Sequence, residues 1–257
     1  MRPSLNHLKR QIVVATTATK EGHIASAFSI LDLVWVLYHD VLGLNPQNFR
    51  NEDRNFFILS KGHGSLALYA VLAEQGFFPL AELDQFATYQ SRFGGHPDCN
   101  NVPGVEASTG SLGHGLPLGV GVALGQRIRK INRRVFVMVG DAECNEGAIW
   151  EAALLAAHHK LANLTCIVDY NHSTDRALGM GDLAGKWKAF GWATTTINGH
   201  DHPAILNALK QSAPDRPTAI VAETIKGHGC KQMEGNPAWH HRSPNKEELT
   251  AILEELA

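Results

Sequence analysis

Cysteine is scarce in this sequence of 257 residues: Cys99, Cys144, Cys166 and Cys230 are the only four, and none stands in a CxxC pair. Neither a zinc site nor a disulfide framework is indicated, and reduced thiols fit a cytosolic chain. Net charge is also small. Lys and Arg number 23 against 25 Asp and Glu, a formal charge of -2, so neither nucleic acid nor an anionic membrane is an expected partner. A long apolar run is missing too. The most apolar stretch, residues 28–38, is interrupted by Asp32 and reads as too short to span a bilayer. Residues 1–20 carry Arg2, Lys9, Arg10 and Lys20 but no uninterrupted apolar core of signal-peptide length. The expected location is the cytoplasm. No internal repeat, low-complexity tract or interdomain linker is visible. No GxGxxG follows the first strand-like run, which argues against a plain dinucleotide-binding protein.

Hydrophobic residues make up 44% and charged residues 19%, as in ordinary globular proteins. The length permits one large domain with a substantial core, and residues 1–257 are read as one. Leu5, Leu8, Ile12 and Val13 recur at helical spacing and predict an amphipathic helix over 4–19. A second helix is expected from Ser26 or Ser29 to Val41. A short buried strand at 56–59 ends in Ser60-Lys61-Gly62-His63-Gly64-Ser65, and a helix continues to about Gln75. Strand, glycine turn and helix together aim backbone N–H groups at a ligand. Residues 88–110 read as a long functional loop. The helix expected over 115–129 holds Gly115, Gly119, Gly121 and Gly125. So many interior glycines imply a close backbone approach, either to a cofactor or second subunit or within the domain itself. Further strands are expected at 192–197 and 218–223, with helices at 182–190, 202–212 and 245–256. This alternation predicts a mostly parallel sheet covered by helices on both faces.

The centre of the chain is the segment from Val135 to Ser173. An apolar run, Val135-Phe136-Val137-Met138-Val139, breaks into Gly140-Asp141-Ala142-Glu143-Cys144-Asn145-Glu146-Gly147. A helical pattern covers 149–161, and a second apolar run at 164–168 ends in Asp169-Tyr170-Asn171-His172-Ser173. Asp141 and Asn171 therefore stand just past the carboxyl ends of two strands joined by one helix. In a parallel βαβ unit those ends are neighbours, so both side chains can reach one point. Two hard oxygen donors suit Mg²⁺ or Ca²⁺, and Mg²⁺ completes its shell with water and phosphate oxygens. Taken singly, Asp141 also fits a helix cap and Asn171 a turn.

Gly140-Asp141-Ala142, about thirty residues, then Asn171 resembles the thiamine diphosphate motif. Glu146-Gly147-Ala148-Ile149-Trp150-Glu151-Ala152-Ala153 and Ala157-His158-His159-Lys160-Leu161 are similar to transketolases, above all to the N-terminal subunit of those split into two chains. The likeness spans nearly the whole chain but only the first domain of a full-length enzyme. It implies thiamine diphosphate and Mg²⁺ (or Ca²⁺) as cofactors, with Asp141, Asn171 and the Ser173 carbonyl as metal ligands. It further implies cofactor contacts from His63, Gly110, Ser111, Leu112, Gly140, Asp141, Ala142, Glu143, Asn171 and His240. His23, His63, His96 and His240 would contact diphosphate and sugar hydroxyls and move protons, while Glu146, and less strongly Glu151, would join a relay between two active sites. His114 is assigned to turn geometry, and His158, His159, His200 and His202 are read as structural or exposed. The implied reaction moves a two-carbon ketol unit from a ketose (phosphate) to an aldose (phosphate).

Three departures from the family pattern stand out. Ala142 replaces the second glycine, which costs little at negative φ and roughly 1 kcal/mol or more at positive φ. His241 follows His240 where glycine is frequent. The segment Gly22-His23-Ile24-Ala25-Ser26 lacks the small Gly often seen two places after the histidine. The pyrimidine-binding half of the enzyme has no counterpart here, so the resemblance implies a separate C-terminal subunit in an α2β2 assembly. Two other readings compete: an E1 alpha-like subunit of a 2-oxoacid dehydrogenase, and a non-catalytic assembly subunit with the same fold, the latter supported by Ala142 alone.

Overall fold

The structure is a computed structural model and describes residues 4–176 and 178–257. Arg2, one of the cations in the N-terminal reading, lies outside the described residues. Five parallel strands form one sheet: β1 Phe56–Leu59, β2 Val135–Gly140, β3 Leu164–Tyr170, β4 Ala193–Asn198 and β5 Thr218–Glu223, in the order β1-β2-β3-β5-β4. Strand side chains alternate between two apolar clusters. Phe136 and Met138 enter one, whereas Val135, Val137 and Val139 enter the other. The first cluster lies under helices α1 Asn6–Ala15, α2 Ile24–Leu37 and α3 Ser65–Glu74, joined by α7 His202–Lys210 and α8 Lys246–Glu255. The second lies under α4 Gly115–Ile128, α5 Gly147–His158 and α6 Leu183–Ala189. Strand order advances through α4, α5 and α6 on one face, then steps back from β4 to β5 through α7 on the other. Right-handed crossovers require that change of face when the direction reverses.

The expected parallel sheet with helices on both faces is thus what the chain forms. Helix ends follow local chemistry. α8 starts with a capping box, in which Asn245 Oδ1 accepts the Glu248 N–H at 2.8 Å and Glu248 Oε2 accepts the Asn245 N–H at 2.9 Å. α2 runs on into a π-helical turn, Tyr38–Leu42, and the combined 19 residues of Ile24–Leu42 have a mean hydropathy of 1.4. That is long and apolar enough to cross a membrane by length and composition. However, the stretch is 83% buried inside the fold, as a core helix is.

The α4 glycines divide into two kinds. A Cβ added at Gly119 would run into Val137 on β2, and one at Gly115 would run into Ser60, so these two let the helix lie tight on the sheet. Gly121 and Gly125 would meet nothing within 4 Å. Gly119→Ala is expected to destabilise the chain by about 1–3 kcal/mol through overpacking. Gly121→Ala should stabilise it by about 0.5–1 kcal/mol, since alanine loses less backbone entropy in a helix. Urea unfolding of the two variants checks this, and shifts of the same sign would contradict the packing assignment.

Candidate active site

A buried charge organises the strand ends. Asp169, the sixth residue of β3, is 0% exposed in a sheet covered on both faces. Its Oδ2 accepts from the Lys61 ammonium, from Ser29 Oγ at 2.9 Å and from Asn171 Nδ2 at 2.8 Å, and its Oδ1 accepts from Thr224 Oγ1. Burial alone would raise this carboxyl, but the Lys61 charge and these hydrogen bonds outweigh it and hold it below the usual range. Four donors from four segments thereby converge on one carboxylate: the turn after β1, helix α2, the turn after β3 and the turn after β5.

Around that hub, the carboxyl ends of β1, β2, β3 and β5 open into a cavity of about 350 Å³. It is lined by Asp141, Asn171 and Ser173 together with His23, His63, His96 and His240. The Asp141 N–H donates to the Asp169 carbonyl at 3.0 Å, and the Thr174 N–H donates to Asp141 Oδ2 at 3.2 Å. Asp141 is therefore tied to both sides of the Asn171 turn. The Asn171 amide is oriented by donating its NH₂ to Asp169, which turns Oδ1 away from that carboxylate. Burial, reinforced by the negative charge of Asp169, pushes the Asp141 carboxyl up. Asn171 Oδ1 accepts from the Ser173 N–H at 3.1 Å, and a desolvated carboxylate that lines one cavity with such an amide oxygen is a donor set that gains from a hard cation, so the residues present fit Mg²⁺ or Ca²⁺.

The histidines form a tight group. Ring centroids of His23 and His63 are 5.1 Å apart, those of His23 and His240 are 5.5 Å apart, and His241 stacks on His23 at 4.5 Å. Burial lowers His63 to about 2, with the Lys61 charge adding to the effect. Burial and the neighbouring imidazoles lower His23 to about 4. Burial and Lys226 also lower His240. All three are neutral imidazoles near pH 7, able to donate at one nitrogen and accept at the other. His96 is brought in by loop interlock: an added Cβ at Gly110 (φ +156) would sit 3.1 Å from its ring, and one at Gly62 would sit 2.9 Å from Gly110. Only glycine allows that approach.

Lys226 also lines the cavity, a residue the sequence reading passed over. Its ammonium donates to His240 Nδ1 at 2.8 Å and to Ser173 Oγ at 3.2 Å, and burial followed by the Lys61 charge lowers it to about 8. A second cavity of about 530 Å³ opens alongside and shares Ala142, Asn171, Ser173, Lys226 and His240.

Gly110, Leu112, Gly140, Ala142 and Glu143 line the cavity, but Ser111 and Glu146 do not. Both are exposed, and Glu146 packs its stem against Gly113 at the start of α5. Glu143 is buried and committed. Its carboxylate accepts from Ser60 Oγ, from the Gly113 N–H at 2.9 Å and from the Gly140 N–H at 3.0 Å, so it braces the loops that form the cavity. Ala142 does not have positive φ, so its methyl carries no backbone strain. The reading of a non-catalytic subunit loses its support. Positive φ falls instead on His172, between Asn171 and Ser173, where Asp175 at 2.8 Å and Glu223 at 3.0 Å hold the imidazole. His200 and His202 are structural, both bonded to Asp32.

A parallel sheet covered on both faces, with a polar cavity across its strand ends, defines an α/β ligand-binding domain. Residues 4–256 match the family described as transketolase, thiamine diphosphate binding domain. The chain is 38% identical to an apulose-4-phosphate transketolase subunit of Actinobacillus succinogenes over 256 residues, 97% of this chain and 93% of that protein. It is 35% identical to a 6-deoxy-6-sulfo-D-fructose transketolase subunit of a Clostridium species, covering 91% of this chain and 88% of that one. Among solved structures, the transketolase of Campylobacter jejuni superposes with a TM-score of 0.89 at 28% identity, over 98% of this chain and 42% of that one. The chain thus spans about two-fifths of the solved transketolases it matches. It belongs to the transketolase family, as the thiamine diphosphate-binding N-terminal domain.

Two measurements test this site as built. Lys61→Met leaves Asp169 charged and buried without its counter-ion, so unfolding free energy should fall by about 3–5 kcal/mol in denaturant titrations. A loss below about 1 kcal/mol would contradict the hub. Because His63 is depressed in the fold, the unfolded chain takes up its proton first, below about pH 6.5. His63 therefore costs the folded state stability progressively as pH falls from 6.5 to 4.5. His63→Gln should gain on the unmodified chain over that window in unfolding experiments, and a pH-independent difference would contradict a neutral His63.

Proposed function

We propose that the chain binds thiamine diphosphate through Mg²⁺ and serves as the N-terminal subunit of a two-chain transketolase, moving a two-carbon ketol unit between sugars with a separate C-terminal subunit. The observation that carries this reading is the convergence of Asp141 and Asn171, through the Thr174 N–H and the Asp169 hub, on one cavity. Relatives of nearly the same length that are named as transketolase subunits support a partner chain, and an α2β2 assembly follows if two such pairs share their active sites. Cytoplasmic location is part of the same reading.

When bound, the cofactor supplies a nucleophilic carbon and an electron sink. This chain's residues supply the rest. The Asp141 carboxylate, the Asn171 amide oxygen and the Ser173 carbonyl would hold the metal, and Lys226 would balance diphosphate charge beside it. Neutral His23, His63 and His240, with His96, would hydrogen-bond donor hydroxyls and pass protons without adding positive charge to the cavity. Glu146 and Ser111, exposed in this chain, would act only through a neighbouring subunit.

Calorimetric titration with thiamine diphosphate and Mg²⁺, with and without the partner subunit, tests the proposal. Asp141→Ala should weaken binding at least about a hundredfold by removing a charged metal ligand, and EDTA should have the same effect on the unmodified chain. Binding that ignores both would refute it.

A further inference from the structure

Asp32 lies in the middle of α2, 8% exposed and surrounded by core residues. Its Oδ2 accepts from His200 Nδ1 at 2.9 Å and its Oδ1 from His202 Nε2 at 2.7 Å. A carboxylate only accepts, so each imidazole donates. Burial pushes this carboxyl up, yet the two hydrogen bonds and the charges around it prevail and hold it well below the usual range. His200 has a second partner: its Nε2 accepts the backbone N–H of Ile225 at 2.9 Å. The two contacts are mutually consistent only with the proton on Nδ1. Stacking against His228, at 3.6 Å between centroids and 19° between planes, fixes the ring.

Ile225 directly precedes Lys226 and follows Thr224, whose hydroxyl is held by Asp169. Gly227, on the far side, donates its N–H to the Ala25 carbonyl of α2 at 2.9 Å. The residue that aims an ammonium into the cavity is therefore tied on each side, and one tie runs through a histidine to a carboxylate on α2.

Donor atoms of Asp32, His200 and His228 lie within 4.8 Å of one another, a spacing a metal ion could use. The bonding argues otherwise. Both His200 nitrogens are already engaged, and the Lys9 ammonium, which donates to the His228 carbonyl at 2.8 Å, brings a positive charge to this cluster.

We propose that His200, oriented by Asp32, is a positioning residue: it fixes the Ile225 amide and so sets the direction in which Lys226 enters the cavity. The functional consequence rests on the reading of Lys226 as a contact for the cofactor diphosphate. Asparagine and glutamine at position 200 separate the two bonds. Asn can donate to Asp32 from the Nδ1 position but is too short to reach Ile225, whereas the Gln carbonyl reaches the place of Nε2.

In the full chain, His200→Asn should speed amide exchange in the peptide containing Ile225 about fivefold to tenfold, the loss of one hydrogen bond, with α3 and α5 unchanged. It should weaken binding of thiamine diphosphate with Mg²⁺ by a similar factor. His200→Gln should restore both. Asp32→Asn, whose amide can donate to His200 and drive its proton onto Nε2, should loosen Ile225 as His200→Asn does. Unaltered Ile225 exchange in His200→Asn, or a Gln variant as loose as the Asn variant, would overturn the proposal. Failure of the unmodified chain to bind cofactor would count against the proposed function alone, because the exchange result does not depend on it.

Discussion

The Lys61–Asp169 ion pair is the constraint on which the geometry of the site depends. Both side chains are almost wholly buried, 2% and 0% exposed, where an unpaired charge would cost several kcal/mol. A partner and full hydrogen bonding are therefore obligatory. The chain provides them by bringing the ends of β1 and β5, helix α2 and the Asn171 turn to a single carboxylate. Any arrangement that separated those segments would leave a charge stranded. Convergence of the functional side chains follows from the need to satisfy Asp169.

The same hub divides the cavity chemically. Near it lie the hard oxygen donors Asp141 and Asn171, with an ammonium, Lys226, at the rim of their turn. Beyond lies a group of imidazoles that burial and neighbouring cations keep neutral. One end suits a metal-bridged anion and the other suits hydroxyls whose protons must move. Lys226 and His240 link the two ends through a hydrogen bond, which also fixes His240 Nδ1 as the acceptor and leaves its proton on Nε2.

Much of this was legible in the sequence, for physical reasons. Runs such as Val135–Gly140 and Leu164–Tyr170 are apolar on both faces because both faces are covered, so the strands announced themselves. Asp141 and Asn171 stood at strand ends and His23, His63 and His96 beside glycines, where ligands are met, whereas His240 was marked only by the family resemblance. What stayed hidden depends on tertiary contacts. Lys226 sits in a tail without periodicity, and only the Thr224 and Ile225 bonds turn it inward. Asp169 carried a signal that was not used: a carboxylate inside an otherwise apolar strand demands a buried partner. The exposure of Ser111 and Glu146 could not be inferred from motif position, because it is set by how α5 meets the Gly113 turn. Strand order beyond β3 was equally unreadable, since spacing does not reveal that β4 lies outside β5.

Crystals of the chain grown with thiamine diphosphate and Mn²⁺ in place of Mg²⁺ would test the central claim directly, through an anomalous difference map at the manganese edge. One strong peak is expected where the Asp141 carboxylate, Asn171 Oδ1 and the Ser173 carbonyl would hold the ion. A peak held elsewhere, such as beside Asp32 and His228, or none at all in crystals that contain the cofactor, would contradict it.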